Sequence, residues 1–317
     1  MNIKELAQSI QKETEKIIVG KSDRIKLITM AILANGHVLL DDMPGVGKTT
    51  LVKTISIALG CESGRIQFVP DMLPSDIIGM RIYNQKTGDF ELRQGPVMTN
   101  ILLADEINRA IPRTQSALLE VMEERQVSID GQQFELPKPF LVLATQNPVE
   151  AESTFRLPAA QMDRFLVRLS MGYPKPEEEA EMLRNLGTSI PFDTVNAVTN
   201  AEQLIEAANE AGKVYVSDEV AKYIVAIADA TRQHPQLKMG ASPRATLGLY
   251  RAARVWAAMD GRDFVTPDDV KALVHPVLTH RLILKNNSSI SGVTADSVLD
   301  DILAKVQAAP VAETVMA

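Results

Sequence analysis

Five short apolar runs precede residue 170: His37-Val38-Leu39-Leu40, Ile66-Gln67-Phe68-Val69, Ile101-Leu102-Leu103-Ala104, Phe140-Leu141-Val142-Leu143 and Phe165-Leu166-Val167-Arg168-Leu169. Most of them do not alternate with polar residues, which is the pattern of a parallel strand covered on both faces. Helical spacing fills several intervals, including Thr49 to Leu59 and Thr114 to Glu124, with Pro112 suited to a first helical turn. Strands alternating with helices predict an α/β domain built on a parallel five-stranded sheet and ending near residue 172.

Two segments break that rhythm. "QVSIDGQQFEL" carries Asp130-Gly131, a two-residue turn that matches strand twist, and "GMRIYNQKTGDFELRQG" places Lys86-Thr87-Gly88 between two alternating runs. Both predict hairpins added to the α/β layer, suited to moving or touching a partner. After Gly172-Tyr173-Pro174-Lys175-Pro176 the chain becomes rich in Ala, Leu and Glu with helical spacing as far as Val306. The expected division is therefore 1–172 for an α/β core and 173–317 for an all-α domain with a frayed tail, "AAPVAETVMA".

A chain of 317 residues has room for two domains of ordinary size. Cys61 is the only cysteine, which excludes an internal disulfide and fits a reducing cytoplasm. No segment reaches the roughly 20 apolar residues of a membrane span, and the N-terminus lacks the apolar run of a signal peptide. The net charge of −7 offers no general attraction to nucleic acid, which is not an expected partner. His275 and His280 are off the i, i+4 spacing of paired helical ligands, and His37 and His234 are isolated, so no histidine metal site is expected.

The stretch "DDMPGVGKTT" follows the first apolar run and opens a helical pattern, the context of a phosphate-binding loop. Gly45 and Gly47 permit close backbone approach, and consecutive N–H groups at a helix N-terminus suit a β-phosphate. Lys48 would reach the β- and γ-phosphates and the Thr49 hydroxyl would bind Mg²⁺. Asp42 stands where the usual pattern has its first glycine. That position closes the loop away from the phosphates, so the acid is acceptable if its dihedrals are ordinary. Downstream, an apolar strand ends in Asp105-Glu106. Alternation puts these carboxylates on different sides, Asp105 for the Mg²⁺ shell and Glu106 for the attacking water. Asn147, ending another strand, could bond the γ-phosphate or the water. Arg164 and Arg244 could stabilise transition-state charge on the phosphoryl group.

Together these motifs resemble the AAA+ ATPases and, within them, the MoxR family. The resemblance runs from about Ile17 to Leu284 and is carried by "RIQFVPDMLPSDIIG", "LLADEINRAIPRTQSALLEVMEERQVSIDG", "LATQNPVE" and "LPAAQMDRF". It implies that Lys48 and Thr49 are the Walker A pair and Asp105 and Glu106 the Walker B pair. It likewise makes Asn147 sensor 1, Arg164 the arginine finger acting on a neighbouring subunit, and Arg244 sensor 2 on a helical lid. Ile18, Val19 and Gly20 would line the adenine pocket, and Pro44, Gly45, Val46, Gly47, Lys48, Thr49 and Thr50 would hold the phosphates. Arg156, in place of a usual proline, and Arg109 compete with Arg164 for the trans-acting role; Ser153 replaces a usual glycine.

The implied protein is an Mg²⁺-dependent ATP hydrolase working as a homo-oligomeric ring, usually a hexamer. It would remodel or mature a protein client, sometimes with metal cofactor insertion, alongside a separate von Willebrand factor A domain protein. The competing expectations are a magnesium-chelatase-type motor subunit, a nucleic-acid remodeller and a non-hydrolysing nucleotide-gated module. In the expected cycle, lid closure brings Arg244 to the ATP of its own chain and ring assembly brings the neighbour's Arg164.

Overall fold

A computed structural model describes residues 2–43, 45–147, 154–186, 190–286 and 292–308. Pro44, Ser153 and all but the first residue of the expected tail lie outside the described residues. In chain order the first half contains α1 (Ile3–Glu15), α2 (Ser22–Leu33), β1 (His37–Asp41), α3 (Lys48–Ala58), β2 (Ser63–Gln67), α4 (Pro74–Ile78), β3 (Gly79–Asn84) and β4 (Asp89–Gln94). It continues through β5 (Ile101–Asp105), α5 (Pro112–Glu124), β6 (Gln126–Ile129), β7 (Gln132–Glu135), β8 (Leu141–Gln146), α6 (Ala159–Met162) and β9 (Phe165–Leu169). The second half holds α7 (Pro176–Leu186), α8 (Ala201–Ala211), α9 (Asp218–Gln233), β10 (Leu237–Met239), α10 (Pro243–Met259), α11 (Pro267–Leu278), β11 (Ile283–Leu284) and α12 (Ala295–Lys305).

The central sheet has five parallel strands in the order β2-β5-β8-β1-β9. Its unbroken apolar runs feed two cores by alternation. Val38, Leu40, Ile101, Leu103, Leu141 and Leu143 face one core, shared with α2, α3 and the second half. Leu39, Leu102, Ala104, Val142 and Ala144 face the other, shared with α5 and the hairpins. A strand that must supply both cores has no place for polar alternation.

One strand differs from its expected span. The run Ile66 to Val69 marks a strand that begins earlier, at Ser63, and leaves the sheet after Gln67. β2 is an edge strand, so residues such as Ser63 and Arg65 pair with β5 while staying exposed, and they carry no apolar signal. Phe68 still donates its N–H to the Asp105 carbonyl at 2.9 Å.

Both hairpins are present. Asp130 and Gly131 both adopt positive φ, 49° and 79°, the geometry of the turn joining β6 to β7. β3 and β4 are pinched at their base, where Gly79 and Gly95 pass so closely that a Cβ on Gly79 would come within 2.6 Å of the Gly95 nitrogen. Arg81 on one hairpin reaches Gln132 on the other at 2.5 Å.

The helical half starts its helices with polar caps. The side chains of Ser217, Ser242, Thr266 and Thr294 each accept a backbone N–H in the first turn of α9, α10, α11 and α12. The short antiparallel pair β10–β11 within this half has no counterpart in the sequence expectation. The apolar core does not stop at residue 172: Leu166 and Leu169 of β9 share one cluster with Ala245, Leu249, Leu273 and Val277.

Candidate nucleotide site

The phosphate loop leaves β1 at the carboxyl edge of the sheet. Gly45 and Gly47 adopt φ of 87° and 81°, and a Cβ on either would meet nothing within 4 Å, so the demand for glycine is one of backbone conformation. Gly47 caps α3, leaving the first N–H groups of that helix directed along the loop. Lys48 is buried, its ammonium donating to the Asp42 carbonyl at 3.1 Å, while Thr49 is exposed. Open space, free helix N–H groups, an ammonium and an adjacent hydroxyl suit a triphosphate with its metal ion.

Asp42 is absent from the positive-φ residues, as its place in the loop requires. It is buried, and its carboxylate accepts the Ser170 hydroxyl at 2.7 Å and the Met171 and Gly172 N–H groups at 2.6 and 3.0 Å. The residue thus bolts the phosphate loop to the segment where the chain passes from β9 into the helical half.

The acidic pair stands at the end of β5, two strands from β1. At roughly 4.8 Å per strand, Asp105 and the phosphate loop are about 10 Å apart in sheet position, with β8 between them. Asp105 accepts the Thr145 hydroxyl at 2.7 Å and pairs with Arg65 at 2.8 Å. β5 ends at Asp105, so strand alternation does not govern Glu106. Its φ of 58° is left-handed, and the two carboxylates have different direct partners. The Glu106 carboxylate accepts from Gln67 at 2.7 Å and Arg109 at 3.0 Å, and its N–H donates to the Thr145 hydroxyl at 2.8 Å. Asn147 is buried after β8; its N–H faces the Asn108 side-chain oxygen at 3.4 Å and its carbonyl accepts from the Asn108 amide at 3.1 Å. The ends of three adjacent strands therefore carry the loop, Asn147 and the two carboxylates on one edge.

Arg164 and Arg244 are elsewhere. Arg164 precedes Phe165, which pairs with His37 at the start of β1, so about 13 Å of strand separates it from the phosphate loop. Arg244, in the first turn of α10, reaches the same place. Both guanidiniums pair with Glu123 at the end of α5, Arg164 at 2.8 Å. Arg109 is engaged with Glu106 of its own chain, and Arg156 is exposed ahead of α6.

Residues 37–167 match the family model described as the ATPase family associated with various cellular activities, and residues 229–302 match the AAA lid domain. The chain is 47% identical over 292 residues to the uncharacterized protein YeaC of Bacillus subtilis, covering 92% of this chain and 91% of that one. Chaperone MoxR1 of Mycobacterium tuberculosis is 44% identical over 303 residues, covering 93% and 80%. A candidate ATPase from Cytophaga hutchinsonii superposes with a TM-score of 0.91 at 38% identity, over 97% and 96% of the two chains. The chain is a MoxR-family AAA+ ATPase. It hydrolyses ATP to ADP and phosphate.

In this MoxR ATPase the expected adenine segment meets the same junction that Asp42 anchors. Gly20, at φ 69°, lines a cavity of about 410 Å³ with Lys21, Met171, Tyr173, Lys175 and Glu178. A Cβ at Gly20 would lie 2.1 Å from the Glu178 carboxyl carbon, so a side chain there would have to push that carboxylate aside and also hold a left-handed φ. Val19 is half-buried beside it.

Four participants in the MoxR site went unassigned in the sequence. Thr145 joins Asp105 to Glu106, Gln67 holds Glu106, and Asn108 holds Asn147. Glu123 gathers the two arginines. The signal for Gln67 and Thr145 is a polar residue near the end of a strand adjoining the acidic one. Glu123 gives no signal, since in "VMEERQ" it resembles any solvated helix acid.

Proposed function

We propose that this chain is the subunit of a ring, a hexamer by family resemblance, whose ATP cycle remodels a protein client in the cytoplasm. The observation that carries the reading is the common edge of β1, β5 and β8, where the phosphate loop, Asn147, Asp105 and Glu106 all lie. In open parallel sheets, ligands bind outside the carboxyl ends of the strands. Val19, Gly20 and the loop residues Gly45 to Thr50 hold the nucleotide in this reading; Pro44, assigned with them, lies outside the described residues. Thr49 and Asp105 would hold Mg²⁺, which supplies charge neutralisation at the phosphates.

Glu106 orients and polarises the attacking water. Gln67 and Arg109 both donate to its Oε2 and fix the carboxylate's orientation, which leaves Oε1 for the water. Asn147, braced by Asn108, marks the γ-phosphate. Arg164 and Arg244 are both assigned to the nucleotide of a neighbouring subunit. For Arg244 this departs from the expected closure over its own ATP, and it rests on the shared Glu123 partner at the far end of the sheet. Loss of the γ-phosphate then relaxes the helical half and moves the hairpins.

Chaperone MoxR1 is the named relative that favours a protein client. A von Willebrand factor A domain partner and metal cofactor insertion extend the same reading on resemblance alone. The test is steady-state phosphate release with Mg²⁺ across protein concentration, for the wild type and Glu106→Gln. Release that rises more than proportionally with concentration and disappears in Glu106→Gln supports the reading; a specific activity independent of concentration overturns the ring.

A further inference from the structure

Positive charge accumulates at the start of β9 beyond what the nucleotide edge explains. A cavity of about 220 Å³ opens there between α10 and the N-terminal ends of β1 and β9, and Arg125, Arg164, Arg244, Arg251 and Arg281 line it. Two carboxylates answer five guanidiniums. Asp163 lies 3.3 Å from Nε of Arg281, and Glu123 is divided between Arg164 and Arg244. Arg125 donates to the carbonyls of Asn35 and Phe140, which bring no net charge. Arg251 is exposed and has no ion pair among the described residues. This occurs in a chain whose net charge is −7.

Arg281 is the least accessible of the five. Its side chain is 3% exposed, and its Nη1 has no hydrogen-bond partner among the described residues. Gly248 makes room for it: a Cβ there would approach Nη1 to 3.1 Å. Burial, partly offset by Asp163, together with the nearby Arg244 pushes Arg281 down to about 10. Burial and Arg251 likewise lower Arg125. Guanidiniums that repel one another around a cavity are stabilised by an anion, and their planar forks match phosphate oxygens.

We propose that this cavity is a phosphate-accepting site and that the Glu123 carboxylate is its internal occupant in the free chain. Glu123 sits where an entering phosphate would, bridging one arginine from the α/β half and one from the helical half. An entering phosphate displaces it and takes both guanidiniums. The shared chemistry is a multiply charged phosphate, from either of two sources. One is the terminal phosphate of a nucleotide held by a neighbouring copy, which rests on the ring reading above. The other is free polyphosphate, which does not.

The first arm uses the full chain carrying Lys48→Ala, to silence the phosphate loop, at high dilution. Inorganic tripolyphosphate is titrated into it calorimetrically with and without Glu123→Gln, a near-isosteric change on a side chain about one-third exposed. Removing the internal competitor is expected to tighten binding by about tenfold or more. Adding Arg244→Ala and Arg251→Ala, both at exposed side chains, is expected to abolish the gain. Unchanged affinity in Glu123→Gln, or binding indifferent to the two arginine substitutions, overturns the proposal. The second arm follows ATP hydrolysis by Glu123→Gln with Lys48 intact, across protein concentration. A fall in the half-maximal protein concentration identifies the neighbour's nucleotide as the source. Tight tripolyphosphate binding with no such fall identifies free polyphosphate, and the site then stands apart from the ring reading.

Discussion

The Asp42 carboxylate accepts the backbone N–H of Met171 at 2.6 Å across 129 positions of sequence. The residue that departs from the phosphate-loop pattern is therefore the one that ties the loop to the junction between the halves. Asp42→Ala removes the acceptor for the Met171 and Gly172 N–H groups and the Ser170 hydroxyl together. A loss of about 2–4 kcal/mol is expected, since hydrogen bonds to a charged acceptor are worth roughly 1.5–3 each and do not add fully. Thermal unfolding without nucleotide measures it. Asp42→Gly, which restores the usual glycine, is expected to lose as much; a neutral result would make the anchor idle.

Glu106 pays for its position with a left-handed φ of 58°. Glu106→Ala and Glu106→Gly both remove the carboxylate and its contacts to Gln67 and Arg109. They differ in the backbone: glycine relieves the conformation and alanine does not. Glu106→Gly is expected to be more stable than Glu106→Ala by about 1 kcal/mol, with both inactive. Parallel denaturation curves decide it, and equal stabilities would show that the conformation carries no strain.

Thr145→Val keeps the shape of a side chain that joins Asp105 to Glu106 and removes the hydroxyl that does so. Partners that orient metal- or water-binding groups typically matter by about 10–100-fold in activity. A fall in kcat of that size, with ATP binding close to wild type, is expected in steady-state kinetics.

Two buried histidines set an acid limit. His37 is pushed down to about 3 by burial and by Arg125, and His280 to about 3 by burial and by Arg281. Each stays neutral in the folded chain and takes up a proton on unfolding below the ordinary value near 6.5. Stability is therefore highest above about pH 6.5 and falls with pH from there toward 3, by up to about 1.4 kcal/mol per pH unit for each histidine. His37→Gln is expected to reduce that slope by one proton in denaturation curves taken between pH 6 and 4.

The legible parts of this molecule were those written locally. The phosphate loop, the acidic strand end and both hairpin turns each occupy a few consecutive residues. The two cores were also visible, because strands buried on both faces lose their alternation. β2 was displaced because an edge strand pairs its backbone without burying its side chains. The role of Asp42 was hidden because its donors lie on the far side of the domain in sequence. The surroundings of Arg244 were hidden for a related reason. "SPR" announces a helix start but not which end of the sheet that helix faces, and Glu123, the partner of Arg244, lies 121 positions away in sequence.

The central claim is that both arginines serve a neighbour's nucleotide. It is tested most directly by mixing two inactive chains, Glu106→Gln and the double variant Arg164→Ala/Arg244→Ala, in equal amounts. A head-to-tail ring would bring the intact Glu106 of one chain to the intact arginines of the other in about a quarter of interfaces, restoring about that share of wild-type hydrolysis. A mixture as inactive as its components, with ring assembly intact, would contradict the account.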